Sequence, residues 1–192
     1  MSRLVNRVRL VLGNLCLPST FRLTGECYST SECIARTGGY ADGSCASGFG
    51  TCCIIRNSGC GLELSYNSSH LQNTGYPSAL TESTSCQYKL TKLNPDICFF
   101  RLEFVVFSLD VPVSSTDWDC SKDGLEFTTP SSTSPPKICG YNTGQHMYLD
   151  ASYQLTDTNP SMLVTTSGAT FERYWQIRVD QITCSSYRFE LF

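Results

Sequence analysis

Residues 98–107 read CFFRLEFVVF, and this run decides the fold. Phe100, Leu102 and Phe104 fall on one side of an extended chain, with Arg101 and Glu103 on the other. Successive side chains of a strand point to opposite faces, so the alternation describes a strand with one face in a core and one in water. YWQIRVDQI at 174–182 repeats it: Trp175, Ile177 and Val179 alternate with Gln176, Arg178 and Asp180. CQYKL at 86–90, GLEF at 124–127 and HMYL at 146–149 are shorter strand candidates. Between them lie NTGYPS at 73–78, TTPSSTSPPK at 128–137 and DTNPS at 157–161, stretches of turn-forming residues. No helical period competes. Short strands separated by turns predict an all-β sandwich.

Twelve cysteines surround this pattern in two blocks. Cys16, Cys27, Cys33, Cys45, Cys52 and Cys53 are crowded into the first, while Cys60, Cys86, Cys98, Cys120, Cys139 and Cys184 are spread through the strands. An even count with this spacing predicts disulfides made in an oxidising compartment, hence a secreted, extracellular protein. Residues 14–53 are too few to bury the apolar surface that would offset their ordering entropy, so bridges must hold them. Their Gly- and Ser-rich composition predicts turns and short strands tied by cystines. Adjacent Cys52 and Cys53 would form a strained ring with each other, so each is expected to reach a separate upstream partner. Six cysteines can pair in many ways, and the residues alone do not choose. With no His and no CxxC in the block, zinc is not expected there. Residues 54–59 read as a short joint.

The net charge is −3 and the basic residues are scattered, which argues against nucleic acid as a partner. No apolar run reaches the length of a membrane span. Residues 1–13 form an Arg-rich, acid-free, amphipathic segment. It is poor as a secretory signal and similar to a mitochondrial presequence; weighed against the cysteines, it is expected to be a start that has lost its signal region.

The residues also carry a resemblance. Cys60-Gly61, the turn at 73–78 and Cys86-x-Tyr88 are similar to the opening of a CUB domain. Leu102-x-Phe104-x-x-Phe107-x-Leu109-Asp110, Cys120-x-x-Asp123-x-Leu125 and Cys139-Gly140 resemble its later motifs in order and spacing. The resemblance implies a jelly-roll sandwich over 60–184, with Cys60–Cys86 and Cys120–Cys139 bridged and 185–192 left as a tail. Cys98 and Cys184 lie outside the motif pattern and are left to pair by elimination. The block at 14–53 resembles the cysteine-rich module that precedes such domains in uncharacterised arthropod secreted proteins, and more faintly a clip domain. A clip-like pairing would be Cys16–Cys52, Cys27–Cys45 and Cys33–Cys53.

Many CUB domains bind calcium, and the resemblance puts Asp110 and Asp123 at two of the ligand positions. Gly168 stands where a third carboxylate would be. Calcium takes about six to eight oxygens, so a missing charged ligand weakens the site, and no cofactor is expected. Asp117 and Asp119 are the nearest substitutes. Asn67-Ser68-Ser69 is a sequon, which makes Asn67 a glycosylation candidate on the secretory route. The two histidines, His70 and His146, come with no nucleophile motif, so no enzyme is expected. The reading is a secreted, non-catalytic protein that recognises an extracellular protein or glycan, with Tyr76, Trp118 and Tyr141 as candidate contact residues. The alternative is a regulator of an extracellular protease cascade acting through the first block. Oligomeric state and ligand are not encoded in any motif.

Overall fold

The computed structural model describes residues 15–17, 23–111, 120–130, 134–151, 159–168 and 171–186. The chain divides into two compact units, Met1–Arg56 and Asn57–Phe192.

In the first unit, strands β1 (Leu15–Cys16), β2 (Gly25–Tyr28), β3 (Gly39–Cys45) and β4 (Gly50–Ser58) form an antiparallel sheet in the order β1-β2-β4-β3. Neighbouring residues of a strand face opposite ways, so the adjacent Cys52 and Cys53 of β4 send their sulfurs to opposite sides. Cys52 bonds Cys16 of β1, and Cys53 bonds Cys33. Cys27 and Cys45 close the third bridge. Cys33 lies on a short helix, α1 (Thr30–Ile34), where composition alone predicts turns and strands. The helix starts because Ser29 and Glu32 form a capping box, each side chain serving the other's backbone N–H. Gly39 follows it because a Cβ there would run into the Cys33 carbonyl. The boundary between the two units, after Arg56, falls within the residues read as a joint at 54–59. Residues 54–58 continue β4, and Ile54 and Ile55 are buried, because Ile54 pairs with Tyr40 and Ile55 with Gly39.

The second unit is an all-β sandwich of two sheets. One runs β6-β12-β8-β10, formed by Ser69–Gln72, Tyr174–Thr183, Ile97–Ser108 and His146–Asp150, all antiparallel. The other runs β5-β7-β11-β9, formed by Glu63–Leu64, Thr84–Leu90, Ser161–Thr166 and Gly124–Thr128, with β5 parallel to β7. Inward side chains of both sheets make one core that includes Tyr88, Leu90, Leu125, Val164, Trp175 and Ile177. Three bridges serve this unit: Cys60–Cys86, Cys98–Cys184 and Cys120–Cys139.

β8 shows how the spacing in the sequence is set. Phe100, Leu102 and Phe104 are buried at intervals of two, and then the buried positions move to Phe107 and Leu109. The phase changes because Gln176 faces Val106 while Ile177 faces Phe104, leaving Val105 as an extra residue in a β-bulge. Two residues therefore separate Phe104 from Phe107, and both rings still enter the core, 4.9 Å apart. A strict alternation would have turned Phe107 to the surface.

Candidate functional site

The bulge also delivers Asp110 to the end of the sandwich, one residue beyond buried Leu109. The Cys120–Cys139 bridge anchors the return of the chain, and Asp123 follows it just before β9. Asp123 is fully buried. Its Oδ2 accepts the backbone N–H of Asp110 at 2.9 Å and the Nε–H of Arg173 at 2.6 Å. Its Oδ1 accepts the N–H of Ser167 at 2.9 Å and the Nη2–H of Arg173 at 3.2 Å. Each oxygen thus takes two donors, which fills the acceptor capacity of a carboxylate.

Arg173 is as deeply buried, its side chain 1% exposed. Beyond Asp123 it donates to the carbonyls of Ser167 at 2.7 Å, Phe171 at 3.2 Å and Thr81 at 3.4 Å. Its backbone is held by reciprocal hydrogen bonds with Leu80. A buried ion pair is tolerated only when both partners are otherwise satisfied, and here they are. Outside it, Lys122 approaches the Asp110 carboxylate at 3.4 Å. The two expected calcium ligands are therefore brought close together, but each already faces a cation from the chain. Gly168 lies at the same end, its N–H donating to the Ser83 hydroxyl. These residues do not fit calcium: Asp123 has no oxygen left to offer. Among the described residues no group of three or more His, Cys, Asp and Glu is placed to hold a metal. Asp117, Trp118 and Asp119 lie outside the described residues.

Next to this end Tyr141 is 77% exposed. It follows Gly140, against which Val111, itself 49% exposed, packs its Cγ1. Tyr76 is half-buried, and burial pushes its hydroxyl pKa up. Asn67 is half-buried too, with Oδ1 accepting the Gln181 N–H at 2.5 Å.

The outer face of β6-β12-β8-β10 carries a second polar array. Cross-strand pairing sets His70, Arg178, Glu103 and His146 in one row across the four strands. In the adjoining row Ser68 donates to Asp180, which pairs with Arg101, which faces Tyr148. The rows are cross-linked: Arg178 reaches Glu103 at 2.8 Å and Asp180 at 2.9 Å, and Arg101 reaches Glu103 at 2.8 Å. Burial pushes the Glu103 carboxyl up, but the Arg101 hydrogen bond and the charges of Arg178, Arg101 and His146 outweigh it and hold the carboxyl below its ordinary range. The two histidines, far apart in sequence, stand at opposite ends of one row. His70 is buried and His146 exposed, its ring meeting Tyr148 edge-on at 5.7 Å.

Sequence reasoning missed Arg173 as a functional residue. The signal was present, since a buried aspartate without a calcium partner needs a cation, but the sequence does not say which one.

No protein-family profile and no curated protein matches the sequence. Solved structures do. The full extracellular region of zebrafish Gpr126/Adgrg6 is similar over 65% of this chain, with 17% identity and a TM-score of 0.50, and the match takes up 15% of that chain. The CUB1-EGF-CUB2 domains of rat MASP-1 align over 66% of this chain and 43% of theirs, with 15% identity and a TM-score of 0.48. The MASP-1 CUB2 domain bound to Ca2+ aligns over 64% of this chain and 99% of its own, with 14% identity and a TM-score of 0.49. This chain therefore spans less than half of two of these three structures. At such identities the similarity concerns the fold alone. No helix among the described residues is long and apolar enough to cross a membrane.

Proposed function

We propose that the chain is a secreted CUB-type recognition protein whose sandwich binds an extracellular protein or glycan without catalysis. The observation that carries the reading is the exposed pair Tyr141 and Val111 at the loop end of the sandwich, bordered by the Asp110–Lys122 ion pair. Aromatic residues supply much of the energy of recognition surfaces, and loops on a rigid scaffold are their usual seat. The filled Asp123–Arg173 pair makes that scaffold firm.

A second reading puts recognition on the first unit, as a regulator of an extracellular protease cascade. Its support is Phe49, 86% exposed, beside a turn where Ala46, Ser47 and Gly48 all have positive φ. Crosslinked capture from native extracellular fluid separates the two readings, using the full glycosylated chain and its Tyr141→Ala and Phe49→Ala variants. The expected result is a partner retained by wild type and Phe49→Ala and lost with Tyr141→Ala. A protease or zymogen lost with Phe49→Ala alone would replace the first reading with the second.

A further inference from the structure

Arg173 and Asp123 lie 50 residues apart, yet together they gather five backbone groups at one end of the sandwich. Asp123, just ahead of β9, holds the amides of Asp110 after β8 and Ser167 after β11. Arg173, at the entrance to β12, holds the carbonyls of Thr81 before β7, Ser167 after β11 and Phe171. The pair thus ties segments adjoining β7, β8, β9, β11 and β12.

A divalent cation does the same kind of work by drawing loop oxygens onto one charge. Here that charge is covalent. A calcium ion coordinated by Asp123 would have to displace a guanidinium that is 1% exposed and also bonded to three carbonyls. The displaced arginine would then be a buried cation with no counter-ion, a costly state. At Asp110, Lys122 already supplies a positive charge, and Gly168 supplies no carboxylate.

We propose that the Arg173 guanidinium takes the place of a divalent cation in this chain. The loop end of the sandwich therefore keeps its arrangement without calcium and takes up no calcium at Asp110 and Asp123. The inference rests on this geometry alone and holds whatever the chain binds.

The test uses the full chain in two arms. Thermal melts and calorimetric titration are run in EDTA and in about 10 mM calcium, where a site of roughly millimolar affinity would raise Tm by several degrees. The expected result is the same Tm in both and no binding heat. A Tm that rises in calcium for wild type, but not for Asp110→Asn, would overturn the proposal. The second arm follows hydrogen exchange at the Asp110 and Ser167 amides in wild type, Arg173→Ala and the milder Arg173→Lys. Exchange at both amides is expected to quicken at least about ten-fold in either variant while the Leu102 and Phe104 amides keep their protection. Unchanged exchange at Asp110 and Ser167 would show that the guanidinium is not the tie.

Discussion

Asn73 clamps Trp175 through both sides of its residue: its backbone N–H donates to the Trp175 carbonyl, and its side-chain Oδ1 accepts the Trp175 N–H, each at 3.1 Å. The same side chain donates through Nδ2 to the carbonyls of Thr74 and Ser78 at 3.0 Å. One fully buried amide thus closes the turn at 73–78 and fastens it to the strand that carries the largest buried ring.

Replacing it exposes the dependence. Asn73→Ala leaves the buried Trp175 N–H and two carbonyls without their partner, and an orphaned buried group costs about 1–3 kcal/mol. Urea denaturation is expected to show a loss in the upper part of that range or beyond, with the m-value unchanged. Asn73→Asp keeps the acceptor but turns a negative charge on two carbonyls, and is expected to be at least as damaging.

The row through Glu103 predicts an acid dependence. Its carboxyl has a lower pKa in the folded chain than its ordinary 4.5, so the unfolded chain binds the proton more readily. Stability from this group is complete above pH 4.5 and is lost as pH falls below that value through the folded pKa. Chemical denaturation of Glu103→Gln is expected to show a shallower loss than wild type as pH falls below 4.5.

At the alkaline end the sign is reversed. Burial pushes the Tyr88 hydroxyl up to about 12, against an ordinary value of 10.0. The unfolded chain therefore loses this proton first, and the contribution of Tyr88 is present below pH 10 and disappears between pH 10 and about 12. Absorbance at the phenolate band is expected to show a late-ionising tyrosine near pH 12, and Tyr88→Phe to remove that late step.

Cys98 and Cys184 join positions 86 residues apart, enclosing β9 to β12. A bridge over so long a span restricts the unfolded chain strongly, and its loss typically costs about 2–5 kcal/mol. The Cys98→Ala/Cys184→Ala protein is expected to melt well below wild type, whereas reduction limited to the first unit is expected to leave the sandwich transition in place. Differential scanning calorimetry distinguishes these outcomes.

Asn67 provides a check on the secretory reading. Protein recovered from a eukaryotic secretory host is expected to lose one glycan mass on amidase treatment, with Asn67 converted to Asp. Unmodified Asn67 in that material would argue against the route.

The sandwich was legible because its strands write burial directly into the chain. Phe100, Leu102 and Phe104, or Trp175, Ile177 and Val179, alternate with charges, and only one face can be wet. The phase change at Val105 was visible as the F-x-x-F spacing, although nothing local said that a bulge caused it. α1 was missed because its signal is one reciprocal pair, Ser29 and Glu32, inside a Gly- and Ser-rich block. Within the joint at 54–59 the strand character of Ile54 and Ile55 was not legible, because they pair with residues of β3 that look like a loop. Arg173 was beyond reach for a different reason. Its role arises from five segments meeting in space, and locally it is one polar residue among others ahead of a strand.

The opposed directions of Cys52 and Cys53 have a consequence for how the first unit is made. A one-residue slip of β4 would turn both sulfurs to the wrong sides, and neither could then reach its own partner. Oxidation of this unit is therefore a form of proofreading: the chain can be locked only after β4 has found its register, and an isomer with those two partners exchanged reports that it had not.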